Sequence, residues 1–215
     1  MPTVSTLPSL AEQAERLIAL GITDLAGIPA DALRRAASSR AANAVLVVHP
    51  DRAPASALAP LLKNAGKAGF IVTDMVDVDE FAPISEVTVP RTEVYVVTDI
   101  DRGDQMNNWT PDEALPAILA AGRTPLTLTE AIHWLLQQPD ALERNHCFMT
   151  IGSRRRKDTG RLDARTPAIW ISNGTGRDGA ANRDAPKVGW CWAGNRHPWL
   201  GFASASARHS PPAAT

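Results

Sequence analysis

Apolar positions fall at helical spacing through residues 1–42 and then give way to continuous apolar runs. In the first stretch Ser9 and Glu12 form a capping box ahead of Leu10, Ala14, Leu17 and Ile18, and Gly21 supplies a stop. Such a box works because each side chain takes up a backbone N–H that the first helical turn leaves without a partner. A second short helix is expected from Pro29, with Leu33, Ala36 and Ala37 inward and Arg34, Arg35 and Arg40 outward. Residues 1–42 therefore read as a helical N-terminal cover.

The run "AVLVVH" (44–49) has the valine-rich, uninterrupted character of a strand covered on both faces. A helix over about 56–65 and a strand at "FIVTD" (70–74) would complete a parallel βαβ unit. "VYVVTD" (94–99) reads as a further core strand and "EVTV" (86–89) as an edge strand. Two helices carry strong start signals. Thr110-Pro111-Asp112-Glu113 precedes Leu115, Ile118 and Leu119, and Thr127 with Glu130 precedes Ala131, Ile132, Trp134 and Leu135. Beyond residue 145 the pattern turns to strands at 147–151, 168–172, 188–192 and 199–203. The expected fold class is α/β or α+β, a mixed sheet with packed helices. The core domain would span 43–203, and the small, polar, proline-containing residues 204–215 would form a disordered tail.

At 215 residues and 44% hydrophobic, the chain is long enough for one well-buried core. A net charge of −1 gives no reason for whole-molecule attraction to nucleic acid or to a membrane. The start lacks a signal-peptide pattern and no apolar run approaches the ~20 residues of a membrane helix, so a cytoplasmic location is expected. Cys147 and Cys191 are then free thiols behaving as small hydrophobes.

Charge is segregated along the chain. Residues 70–113 hold eleven acids against Arg91 and Arg102, whereas residues 144–187 hold ten basic residues against four acids. Loops of opposite sign steer partners or attract each other. Arg154, Arg155 and Arg156 in "SRRRKDTGRLDAR", with Arg177 in the glycine-rich "GTGRDG" (174–179), offer forked donors suited to a carboxylate or phosphate. The glycines match a dinucleotide fingerprint, but Pro186 and the next strand leave no room for its helix. His49 follows the first core strand, and Asp99 and Asp101 follow the third. Parallel strands would bring them to one rim as weak candidates for a divalent ion. No paired spacing marks a zinc site, and no cofactor is expected. His133 reads as a residue at the edge of the core.

The sharpest feature is "GWCWAGNRHPWLGF" (189–202), which holds three of the six tryptophans. On a strand Trp190 and Trp192 share a face. Trp170 is expected to join them from the neighbouring strand, with Trp199 completing an apolar wall. Asn195, Arg196 and His197 would sit beside that wall, His197 being the best proton donor or acceptor at neutral pH.

The stretches "TPDEALPAILAAGRTPLTLTEAI" and "APKVGWCWAGNRHPWLGFASA" resemble an uncharacterised family of cytosolic proteins from actinobacteria. The resemblance implies a host group and supplies no catalytic residue. The residues themselves point to a small-molecule site, between the tryptophans and the arginine loop, for an anionic metabolite. A protein-interaction module is the rival reading. Nucleic-acid binding through the arginines is a third and weaker one, because stacking aromatics are missing from that loop.

Overall fold

The computed structural model describes residues 6–212. The N-terminal cover consists of α1 (Leu10–Ala19), α2 (Ile22–Ala26) and α3 (Ala30–Ala36). Ser9 and Glu12 form the expected box. The short α2 lay hidden because Gly21 and Gly27, both left-handed, close it at each end within a single turn.

Two sheets make up the rest of the core, and the fold is α+β. The first is antiparallel, with β1 (Ala44–Val48) and a C-terminal strand flanking Val94–Thr98. The second is mixed and has five strands. In chain order the main strands are β1, β2 (Phe70–Ile71), β3 (Val94–Thr98), β4 (Cys147–Met149), β5 (Arg165–Ile171), β6 (Pro186–Trp192), β7 (Leu200–Phe202) and β8 (Ala207–His209). The order across the second sheet is β7-β4-β5-β6-β2. Its centre is the antiparallel pair β5 and β6, with β2 parallel to β6 and β7 parallel to β4.

The expected βαβ unit does not form. β1 pairs antiparallel with β3, while β2 belongs to the other sheet. The intervening helix is only α4 (Ala55–Leu58), followed by a 3-10 turn containing Pro60, which cannot continue an α-helix. Residues 86–89 are not a strand. A parallel partner for β1 has no place to dock, because side chains close its outer edge. Gln13 donates to the Ala44 carbonyl (2.7 Å) and accepts from the Leu46 N–H (2.9 Å). The Val48 N–H donates to His133 Nε2 (3.2 Å). An open strand edge invites further pairing; here two side chains stand in for a neighbouring strand.

The helices α5 (Pro111–Ala120) and α6 (Leu128–Gln137) begin where their capping boxes predict. All ten residues of α6 are buried, because the helix lies between the sheets. His133 reaches β1 on one side, and Trp134 packs on Phe148 of β4 on the other (ring centroids 5.2 Å). His133 is thus an interior residue. Its Nδ1–H donates to the Thr129 carbonyl at 2.9 Å, and burial lowers its pKa to about 4.

The tail is also different from expectation. Residues 204–209 form two short strands, Ser204–Ala205 against Thr124–Pro125 and β8 against β3; residues 213–215 lie outside the described residues. Arg208 enters the core and grips Glu130 through Nε (2.6 Å) and Nη2 (2.7 Å), while Tyr95 Oη–H donates to the same carboxylate at 2.9 Å. Glu130 is fully buried. Burial alone would raise its carboxyl, but Arg208, the Thr127 N–H and Tyr95 hold it below the usual value. Among the described residues no helix is long and apolar enough to cross a membrane.

Candidate functional site

The register of β5 on β6 decides the fate of the tryptophan wall. Trp190 lies opposite Pro167 and Trp192 opposite Arg165, whereas Trp170 lies opposite Lys187. Side chains alternate along a strand, so Trp170 sits on the other face from Trp190 and Trp192. There it packs over Gly189, where an added Cβ would fall 2.9 Å from the ring, and receives the Lys187 ammonium at 4.5 Å from its centroid. Trp190 and Trp192 do meet, edge to face at 4.4 Å. Trp199 packs instead on His197, at 4.6 Å. Partial burial lowers the His197 pKa, and its carbonyl accepts from the Asn108 N–H. Asn195 is an exposed turn residue. Arg196 donates to the Asn108 carbonyl (2.8 Å) and pairs with Glu113 (2.6 Å). Hydrogen bonding to Arg196 and to Thr110 lowers the Glu113 carboxyl to about 2.

The arginines are answered by the acidic segment. Arg177 pairs with Asp74 and lies 5.8 Å from the Trp190 ring centroid. Arg155 bonds Glu80 (2.6 Å) and Asp77 (3.1 Å). Arg165, at the end of the basic stretch, clamps Asp77 (2.6 Å) and Asp163 (3.0 Å). Its guanidinium is the main reason the Asp163 carboxyl falls to about 2. Arg156 donates to the Gly160 carbonyl of its own turn. The two oppositely charged segments therefore attract each other; Arg177 reaches Trp190, while Arg155 and Arg156 are engaged elsewhere. Arg154 differs from the rest. It is nine-tenths buried and lines a small cavity beside α5.

His49 and the aspartates are separated by topology. With β1 and β3 antiparallel, His49 follows Val48 at the end where Val48 pairs with Val94. Asp99 and Asp101 follow Thr98 at the other end, opposite Ala44. Four strand steps, about 14 Å, intervene, so the three cannot share an ion. The thiols of Cys147 and Cys191 are raised by burial to about 12 and 11, which leaves them protonated and inert.

A cleft of about 640 Å³ opens at the end of the first sheet that holds Asp101. The antiparallel register sets the start of β1 beside the end of β3, so Asn43 and the loop 100–105 form two of its walls. Gly103 makes that loop possible. Its φ is +77°, and an added Cβ would lie 2.1 Å from the Phe202 carbonyl oxygen. Leu7, Ile100, Trp134 and Ala141 give the cleft apolar surface. The indole N–H of Trp134 is already engaged by Gln138 (2.8 Å). Facing them, Arg102 binds Asp104 through Nε and Nη2 (both 3.1 Å) and donates to the Ala141 carbonyl (3.0 Å). Nη2 also donates to His146 Nδ1 at 2.6 Å. Nδ1 must then be the accepting nitrogen, so Nε2 carries the proton and points it at Asp104 (3.1 Å). Glu143 closes the cluster, 3.7 Å from Arg102. The sequence does not show this group as a unit, because Arg102 and Asp104 lie on one loop and Glu143 and His146 on another, with no motif spacing to join them.

These features define an α+β protein with a cleft that joins an apolar wall to a guanidinium and carboxylate cluster, braced from behind by His146. The chain belongs to a family of unknown function (DUF5701), whose profile matches residues 16–211. No curated protein and no solved structure matches it.

Proposed function

We propose that this protein binds a small organic molecule in the cleft between the loop 100–105 and α6. The observation that carries the reading is the cleft itself. At about 640 Å³ it falls in the range of ligand sites, and such sites pair apolar walls with a few convergent polar groups. Asp101, Asp104 and Glu143 outnumber Arg102 in its lining, so the head group it suits is neutral or cationic, a hydroxyl or an amine. This departs from the anionic ligand that the arginine-rich loop suggests. Both ring nitrogens of His146 are occupied, so the arrangement favours binding over proton transfer.

A thermal-shift screen of amines, polyols and nucleosides tests this, since a ligand preferring the folded state raises the apparent melting temperature. Gln105→Trp, at an exposed position in the lining, should abolish the shift. A shift that persists in that variant places the ligand elsewhere and contradicts the reading.

A second reading draws on the exposed indoles of Trp109, Trp192 and Trp199, since aromatic side chains are enriched where proteins meet. A partner recovered from a pull-down by the wild type, and lost with Trp192→Ser and Trp199→Ser together, would favour it.

A further inference from the structure

Arg154 is the buried arginine of the arginine-rich loop, nine-tenths buried, and its guanidinium makes no direct ion pair among the described residues, although Asp112 and Asp163 act on it from farther away. Among the described residues its side chain makes one hydrogen bond, from Nη2 to the backbone carbonyl of Asp163 (2.8 Å), and Nε has no partner. The Asp163 carboxylate is taken by Arg165 and Arg155. A buried guanidinium left this way is costly. Backbone pairing holds it in place, because Arg154 pairs with Ala82 in a short antiparallel ladder.

The same side chain lines a separate cavity of about 110 Å³. Ile84, Leu115, Ile151 and Leu162 supply apolar walls, and Arg156 stands beside Arg154 in the lining. The cavity also borders Pro111 and Asp112 in the first turn of α5, where the helix dipole adds a weak positive potential. A void of about 150 Å³ accommodates benzene, so this smaller one suits a head group on a short aliphatic chain. The exposed carboxylates of Asp112 and Glu86 are also in the lining, and they oppose a multiply charged anion.

We infer that this cavity is a site for a short aliphatic monocarboxylate, its carboxylate on Arg154 and its chain among Ile84, Leu115, Ile151 and Leu162. A carboxylate matches the planar guanidinium fork in shape and charge, and a single charge is what the mixed lining tolerates. The site is independent of the large cleft, and the two readings stand or fall separately.

Calorimetric titration of the full chain with butyrate, at constant ionic strength in chloride, tests the inference, with butyramide as the neutral isostere and inorganic phosphate as the competing anion. Butyrate is expected to bind one to one at millimolar concentration or below, and butyramide at least about tenfold more weakly, as loss of a charge-assisted bond requires. Arg154→Met should keep the fold, since it removes a buried charge that has no direct ion pair, and should lower butyrate affinity by about tenfold or more. Leu162→Glu, at a partly exposed wall position, adds a like charge at the cavity while sparing Arg154, and should weaken binding comparably. Absence of butyrate binding, equal binding of butyramide, tighter binding of phosphate, or unchanged affinity in either variant would each overturn the assignment.

Discussion

The replacement of Arg208 by Met tests how much the C-terminal strand contributes to the core. In the wild type the Glu130 carboxylate accepts four bonds: Arg208 Nε and Nη2, the Tyr95 hydroxyl and the Thr127 N–H. Arg208→Met leaves the last two and an unneutralised charge at a fully buried site. It also strands the Pro125 carbonyl, which Arg208 reaches at 2.9 Å. Removing one partner of a buried pair costs about 3–5 kcal/mol, which for a chain of this size lowers Tm by roughly 6–20 °C. The double variant Glu130→Gln/Arg208→Met should recover most of that loss, because it removes the orphaned charge. pH supplies an independent check. The native Glu130 carboxyl lies below its unfolded value, so its contribution is present above that value and is lost as pH falls through the folded pKa. Without Arg208, burial raises the carboxyl, and a protonated Glu130 then relieves the variant in acid. The deficit of Arg208→Met relative to wild type should therefore be largest near pH 8 and shrink toward pH 5. Urea unfolding followed by circular dichroism at several pH values measures it. A deficit under about 1 kcal/mol, or one that grows in acid, would refute the reasoning.

Other perturbations follow from the same interior. His133 has a folded pKa of about 4 against 6.5 unfolded, so the unfolded chain binds the proton more readily below pH 6.5. Stability should drop by about 2 kcal/mol between pH 7.5 and 4.5 on its account, and His133→Gln should show a smaller drop in urea titrations. Gln13→Leu should orphan the Ala44 carbonyl and the Leu46 N–H at about 1–3 kcal/mol each, and speed hydrogen exchange at the Leu46 amide. Gly103→Ala meets both the positive φ and the Phe202 backbone; it should cost more than about 1 kcal/mol and weaken ligand binding by displacing the loop that walls the cleft.

How far the sequence could be read depends on whether a feature is local. The starts of α1, α5 and α6 were legible because each capping box is complete within four residues. β1, β3 and the strands after residue 145 were legible as apolar runs. Pairing was not, since "AVLVVH" looks alike beside a parallel or an antiparallel neighbour, and the side chains that close its edge come from Gln13 and His133, far along the chain. The ordered tail was missed because "SASARHS" has an unstructured composition and its anchoring contacts are long-range, among them Arg208 on Glu130 across 78 residues. For the site, the alternation of Trp190 and Trp192 held, but Trp170 depended on a register that no local signal specifies. The acidic and basic segments were each visible as charge, and their mutual pairing lay within the stated options. The cluster at the cleft is an assembly of loop residues, and only the three-dimensional fold brings it together.

The most direct test of the binding cleft is the indole N–H spectrum of ¹⁵N-labelled protein, in which the six tryptophans report from different places. Titration with a compound from the thermal screen should move the Trp134 resonance while Trp170, Trp190, Trp192 and Trp199 stay in place. A Trp134 signal that never responds, with shifts confined to the tryptophans of β6 and the turn after it, would contradict the account.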